Sequence, residues 1–349
     1  MNRCYINGLG GVTVQDPLFD VFEASPQLLQ SLNKAQHPSY KELIAPAMSR
    51  RMAKGVKMGI YAADKALSEA HMSGLQAVIV GTGLGCIEDS EKFLDAIIEN
   101  DEQFLTPTAF IQSTHNTVAA QIALRLGCKA YNFTYVNGAS SFESALFDGL
   151  MQLKHFGKQQ VLVGGVDEIA PYTFSMFEMV GKVKSEGQEI LFKQPSTAGV
   201  PLGEGAHFFA LSNEKKEGSY AEVCDVMLFN AFKDNEADTL RSFLQRHSLD
   251  FDAIDVVVLG VNADVRQQAF YDRVSILFPE TAQAYYQHVS AGYDTASAYG
   301  LRLAAEILAR GQYPETVQYN EVRPEKLQTI LLINQGGGTD FSFVLVKAC

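Results

Sequence analysis

Residues Tyr131–Asp167 read YNFTYVNGASSFESALFDGLMQLKHFGKQQVLVGGVD, and the succession of strand and helix signals within them decides the fold class. Asn132–Val136 alternates bulky and small side chains as a buried strand does, and Asn137–Gly138 imposes a tight turn. A helix follows at once. Ser140 and Ser141 are N-cap residue types, and Phe142, Ala145, Leu146, Gly149, Leu150 and Leu153 recur at helical spacing until His155–Gly157 closes it. Val161–Val163 is a second apolar strand, ending in Gly164–Gly165. A strand that turns sharply into a helix leaves the residue at the turn beside unpaired backbone N–H groups. A nucleophile there is activated, and its oxyanion finds donors. The residue at that turn is Ala139.

The 349 residues suffice for one large domain or two fused ones, and an apolar fraction of 47% is ample for a core. Lys and Arg number 28 against 40 Asp and Glu, a net charge of −12, which argues against general affinity for nucleic acid or an anionic membrane. Five scattered cysteines without a CxxC pair give neither a disulfide framework nor a zinc site and fit a reducing compartment. The opening MNRCYINGLGGVT has no long apolar run, and no stretch of about 18 uncharged apolar residues occurs. The expectation is a soluble cytoplasmic protein with no metal and no cofactor.

Cys4–Leu9 reads as a strand meeting a glycine turn at Gly10–Gly11, a common opening for an α/β fold. Met48–Leu67 is an amphipathic helix with Met52, Val56, Ile60, Ala63 and Leu67 on one face and Arg50, Arg51, Lys54 and Lys57 crowding its start. That local basic patch is either a solvated helix face or a docking surface. Ala77–Val80 leads into Gly81-Thr-Gly-Leu-Gly85, which lacks the third glycine of a dinucleotide fingerprint. Cys86 and His115 are a conceivable nucleophilic pair, but their spacing does not bring them together and no third orienting group is evident. The second half repeats the first: Val256–Leu259 and Thr329–Ile333 are buried strands ending in Gly260 and in Asn334-Gln-Gly-Gly-Gly338.

The elbow stretch resembles that of the β-ketoacyl-acyl carrier protein synthases, where small residues precede a cysteine, followed by serine, an Ala-Leu pair and a Gly-Gly strand end. Here Gly138 precedes, Ser141, Ala145 and Leu146 follow, Gly164–Gly165 closes the unit, and Ala139 occupies the cysteine slot. Sliding the helix by one residue to match Gly157 would put Ser140 there, but the preceding strand and the Ser-Ala-Leu spacing both select Ala139. Gly203-Glu204-Gly205-Ala206 matches the family's Gly-Glu-Gly-Ala motif, with Glu204 read as a structural carboxylate receiving backbone N–H groups. Gly336–Thr339 keeps the C-terminal Gly-Gly-Thr turn, while Asn334-Gln335-Gly336 stands where the family has Phe-Gly-Phe. The resemblance spans about residues 3–346. It implies a duplicated, five-layered αβαβα fold of the thiolase type, with an N-terminal half over 1–219 and a C-terminal half over 220–349.

The family's two catalytic histidines hold the enolate formed when a malonyl thioester loses carbon dioxide. At the first position the strand runs into Gly260, with Asn262 nearby as a candidate donor; at the second stands Tyr293 in Gly292-Tyr293-Asp294. His288 falls where the family has a lysine. The triad positions are thus Ala139, Gly260 and Tyr293, with Ser140 and His288 as candidate substitutes. Asn334, Gly337 and Gly338 fall in the acyl-pocket or oxyanion loop, and Arg50, Arg51 and Lys54 where the family docks its carrier. An alanine cannot form an acyl-enzyme. The resemblance therefore implies a non-catalytic homologue, similar to the chain-length-factor subunits of polyketide and aryl-polyene systems. Its partners would be an active synthase or a second copy of itself, and an acyl carrier protein. The alternatives are a thioester-acting enzyme of the same fold using Ser140, Cys86 or Tyr293, and an acyl- or carrier-binding scaffold.

Overall fold

The computed structural model describes residues 3–105, 107–232 and 235–349. Its elements run in chain order β1 Tyr5–Val12, β2 Leu32–Asn33, α1 Pro46–Ser49, α2 Lys54–Glu69, β3 Ala77–Gly81, α3 Ile87–Glu99, α4 Pro107–Ser113, α5 Thr117–Leu126, β4 Tyr131–Tyr135, α6 Ser141–Lys154, β5 Gln160–Asp167, α7 Pro171–Met179, β6 Leu202–Gly203 and β7 Gly205–Ser212. After these come β8 Ala221–Phe229, α8 Glu236–Gln245, β9 Val256–Leu259, α9 Val265–Ile276, β10 Ala282–Tyr285, α10 Gln287–Ser290, α11 Ser297–Arg310, β11 Thr329–Gly336 and β12 Asp340–Lys347.

The strands lie in the order β10-β9-β11-β12-β8-β1-β7-β5-β3-β4, with a short antiparallel contact of Tyr5 and Ile6 on Glu222 and Ala221 joining two sets of five. In the first set β3 pairs in parallel with β4 and β5, and β7 runs antiparallel to β5 and β1. In the second, β9 pairs in parallel with β10 and β11, and β12 runs antiparallel to β11 and β8. Counted along the chain within each set, both orders are 3-2-4-5-1, so the two sets share one topology.

Between the sets lie α6 and α11. Their buried faces join the inward residues of both sheets in one apolar cluster that includes Phe142, Leu150, Leu153, Leu301, Leu308 and Val344. The outer face of the first sheet is covered by α2 and α5 through Val56, Ile60, Val118 and Phe208, and that of the second by α8 and α9 through Phe243, Phe270 and Phe343. The layers are helix, sheet, helix, sheet, helix, as in thiolase-like folds.

Four local expectations are corrected. Gly10 and Gly11 do not turn the chain but lie inside β1: a Cβ on Gly10 would sit 1.9 Å from the Ala62 carbonyl oxygen, so the glycine lets α2 rest directly on the strand. Gly164 and Gly165 likewise lie within β5, where a Cβ would meet Phe208 and Thr295. The helix expected over 48–67 is broken after α1 and restarts at Lys54. The strand before the elbow is not buried: β4 is the sheet's last strand, and Phe133 is 46% exposed.

Gly10→Ala is expected to lower the unfolding free energy by about 3 kcal/mol, because its methyl meets helix backbone that cannot rotate aside. Gly74→Ala, with open space but a φ of +72°, should cost only about 1 kcal/mol. Urea midpoints at unchanged slope would measure both.

Candidate functional site

The elbow is made by Gly138, whose φ of +52° lets the chain reverse out of β4 into a single 3-10 turn, Gly138–Ser140, and then into α6. Ser141 fixes that reversal: its Oγ accepts from the Asn137 N–H at 2.8 Å and donates to the Gly138 carbonyl at 2.6 Å. Ser140 occupies the N-cap position of α6 without a side-chain cap bond. Among the described residues no imidazole bonds its hydroxyl, so nothing there raises its nucleophilicity.

Ala139 projects its methyl onto the backbone of Gly336, so closely that a Cβ on Gly336 would lie 2.2 Å from that of Ala139. Gly337 and Gly338 follow at φ +60° and +78° and form the exposed turn between β11 and β12. One helical turn below Ala139, Glu143 is 1% exposed. Its Oε1 accepts from Ser342 Oγ at 2.9 Å and from Asn334 Nδ2 at 3.3 Å, while Asn334 Oδ1 accepts from the Tyr286 hydroxyl at 2.8 Å. Burial pushes the Glu143 carboxyl above its ordinary range, against the hydrogen bonds from Ser342 and Asn334. Gly260 abuts the same group, since a Cβ there would come 2.5 Å from Asn334 Oδ1 and 2.8 Å from the Tyr271 hydroxyl. A larger side chain at 260 would displace the network.

Two of the three positions expected of the triad, Ala139 and Gly260, thus both lie against the end of β11, at Gly336 and Asn334. Tyr293 lies against β7, its hydroxyl 2.8 Å from where a Gly205 Cβ would stand; that oxygen is buried and has no hydrogen-bond partner among the described residues. Burial and then Asp167 raise its pKa, so it is a neutral hydroxyl. Beside it, Asp167 accepts from the backbone N–H groups of Gly83, Leu84 and Thr295 and from the hydroxyls of Thr82 and Thr295.

Other candidates fall elsewhere. His288 packs tilted on Tyr285 with ring centroids 4.0 Å apart and edge-on to Phe192, and burial drives its pKa down to about 4, so it is a neutral member of an aromatic cluster. Asn262 donates to Gln267 Oε1 and accepts from the Asp264 N–H, an interaction local to the start of α9. The ring of His115 packs at Gly85, next to Cys86, a proximity the spacing concealed; yet burial, then Glu168, raises the pKa of the enclosed Cys86 thiol and leaves it inert. Lys54 is turned inward. Its Nζ lies 2.6 Å from Glu204 Oε2 and donates to the Ile169 carbonyl, leaving only Arg50 and Arg51 of the expected docking cations exposed. Glu204, 1% exposed, also accepts from the N–H groups of Ala35 and Ile169.

Sequence reading missed Glu143 and Asp294. Glu143 was hidden because an acidic residue in a first helical turn is read as a dipole contact. Among the described residues no group of three or more His, Cys, Asp or Glu side chains is arranged to hold a metal ion. No helix there is long and apolar enough to cross a membrane.

The family model described as "Beta-ketoacyl synthase, N-terminal domain" matches residues 28–217. The chain belongs to the β-ketoacyl synthase family. No curated protein matches its sequence. Among solved structures, the ishigamide ketosynthase/chain length factor is similar over 100% of this chain and 99% of its own, with a TM-score of 0.84 and 14% identity. A β-ketoacyl synthase from Burkholderia phymatum matches at 0.77 and 16% over 100% of both chains. The ketosynthase ApeO in complex with its chain length factor ApeC, from Xenorhabdus doucetiae, matches at 0.77 and 13% over 100% of this chain and 98% of its own. At these identities the likeness establishes the thiolase-like synthase fold.

Asp294 offers a pH test of this site. Burial, then Asp167, raises its carboxyl to about 7. Between about pH 4 and 7 the folded protein therefore keeps a proton that the unfolded chain has lost, so this group withdraws stability as pH rises through that window. Asp294→Asn should gain on the wild type in urea denaturation between pH 5 and 8. A difference that stays flat across that range would refute the assignment.

Proposed function

We propose that this chain is a non-catalytic β-ketoacyl synthase homologue of the chain-length-factor kind, which pairs with an active synthase and shapes its acyl pocket in fatty-acid, polyketide or aryl-polyene synthesis. The observation that carries the reading is the methyl of Ala139 at the elbow. It has no lone pair for a thioester carbonyl, and positions 260 and 293 offer no imidazole. The buried Glu143–Asn334–Tyr286 network fills the space beside Gly260, so the first histidine could not be restored without rebuilding that network.

The partner surface is the free edge of β4. An exposed edge strand with Phe133 at 46% exposure, followed directly by Val136 at 43%, is an association liability unless another chain covers it. Antiparallel addition of a partner's strand would satisfy the edge and bring a second subunit beside the elbow. Arg50 and Arg51, exposed in an otherwise acidic chain, are the candidate contacts for an acidic acyl carrier protein.

Co-expression with candidate synthases should give a complex of one copy of each by size exclusion, and Phe133→Lys should weaken it by tenfold or more. Purified alone, the chain should show no covalent acylation by an acyl carrier thioester in intact-mass measurements. Acylation would point instead to a thioester-acting enzyme, and a homodimer that refuses to exchange with any synthase to a scaffold. Ala139→Cys should release no carbon dioxide from malonyl carrier protein, because no histidine stands at either second-half position.

A further inference from the structure

Between the loop that leaves β1 and the outward side of α11 lies a cavity of about 240 Å³, lined by Gly11, Phe19, Tyr61, Tyr299, Arg302 and Glu306 among others. It involves none of the elbow residues. From α11 it takes Tyr299, Arg302, Glu306 and Arg310, whose spacing puts them along one helix face. Most polar groups of the lining are already engaged. Gln15 donates to the Val289 carbonyl and accepts from the Gln27 N–H, Asp16 accepts from the Leu18 N–H, and Arg310 pairs with Asp20 at 2.7 Å. Arg302 is bound only through Nε, to Glu306 Oε1 at 3.1 Å, so among the described residues both of its Nη groups lack an acceptor.

Behind Gly11 sits His207, on β7 and 1% exposed, and neither ring nitrogen has a hydrogen-bond partner among the described residues. Its ring stands edge-on to Tyr299 at 5.3 Å, and a Cβ on Gly11 would lie 2.4 Å from His207 Nδ1 and 2.8 Å from Arg302 Nη1. The imidazole and the guanidinium therefore converge on the one lining residue that has no side chain, and Gly11, Tyr299 and Arg302, which stand between the imidazole and the cavity or beside it, all line the cavity. Leaving a buried polar atom unbonded costs about 1–3 kcal/mol, so the two His207 nitrogens call for a partner that the chain itself does not supply, and the Arg302 side chain, 29% exposed, presents an open guanidinium edge beside them. Burial and the adjacent Arg302 keep the ring neutral, so one nitrogen donates and the other accepts.

We propose that this cavity binds a small monocarboxylate, its carboxylate on the open edge of Arg302 and within reach of His207, its apolar body between Tyr61, Tyr299 and Phe19. A planar carboxylate matches two guanidinium N–H groups. Glu306 and Asp20 balance the two arginines and the third lining carboxylate, Asp16, is solvent-exposed and screened, so a single negative charge on Arg302 is opposed far less than a phosphate dianion. The volume equals roughly eight waters at about 30 Å³ each, which fits a short aliphatic or single-ring acid.

The test is titration of the full chain, ¹⁵N-labelled at histidine, with sodium acetate, butyrate and benzoate at pH 7.5, with sodium phosphate as the contrasting anion. The expected result is a saturable shift of the His207 ring nitrogens with butyrate or benzoate, weakened at least tenfold in Arg302→Gln. Because that variant leaves Glu306 unpaired and is a folding risk, Tyr61→Trp, which narrows the cavity, is the second variant and should also weaken binding tenfold. The proposal is overturned if none of the three carboxylates gives a saturable shift, if phosphate alone does, or if folded Arg302→Gln or Tyr61→Trp binds as the wild type does.

Discussion

The methyl of Ala139 rests on the backbone of Gly336, and there the elbow of the first half meets the end of β11 from the second. Everything at the elbow is fitted to that contact. Gly138 supplies the left-handed residue that ends β4, Ser141 holds the turn through two hydrogen bonds, and α6 then runs inward between the sheets. From the other side, β11 delivers Gly336 and Asn334 to the same point, and Asn334 and Ser342 reach Glu143 from 191 and 199 residues away in the chain. With a side chain on Gly336 the strand would have to retreat from the elbow, and the hydrogen bonds to Glu143 would be lost with it.

The same logic governs the outer layers. Gly8 and Gly10 permit α2 to lie on β1, Gly164 admits Phe208, and Gly165 admits Thr295 from the segment after Tyr293. In each case a missing side chain allows one element to approach another, and the gain is apolar packing and a buried polar junction rather than a turn. Lys54 and Glu204 form such a junction. Burial works against the Lys54 charge, but Glu204, Glu168 and Glu88 hold its pKa above the ordinary value, and Glu204 ties the backbone of Ala35 and Ile169 to the start of α2.

The features that a sequence could reveal were those decided over short spans. The Asn-Gly turn, the α6 periodicity and the paired apolar strands of each half are local, and they led to a duplicated α/β architecture. The Gly-Glu-Gly-Ala and Gly-Gly-Thr motifs were legible through resemblance alone. What stayed hidden was set by tertiary neighbours. Alternating residues in Asn132–Val136 look the same in a central strand and in an edge strand, because only the strand order puts β4 at the end. Lys54 reads as one cation in a basic run, since Glu204 is 150 positions distant. Gly10–Gly11 reads as a turn because the helix that excludes a side chain there lies some fifty residues on.

The buried carboxyl at 143 bears on what chemistry the elbow can offer. A general base must be ionised near neutral pH and must reach the proton it removes. Glu143 meets neither condition: burial favours its neutral form, and the oxygen that accepts from Ser342 and Asn334 is committed to structure. Asn334 in turn is committed to Tyr286 and crowds Gly260. Of the polar groups nearest Ala139, Ser342, Asn334 and Tyr286 are engaged with one another or with Glu143 Oε1, while Glu143 Oε2 is buried without a partner among the described residues. An acyl-transfer site requires the opposite arrangement, with donors left open for a charge that develops only in the transition state. At this elbow Asn334 Nδ2 and Ser342 Oγ both donate to Glu143, and the methyl of Ala139 is a packing contact with the end of β11.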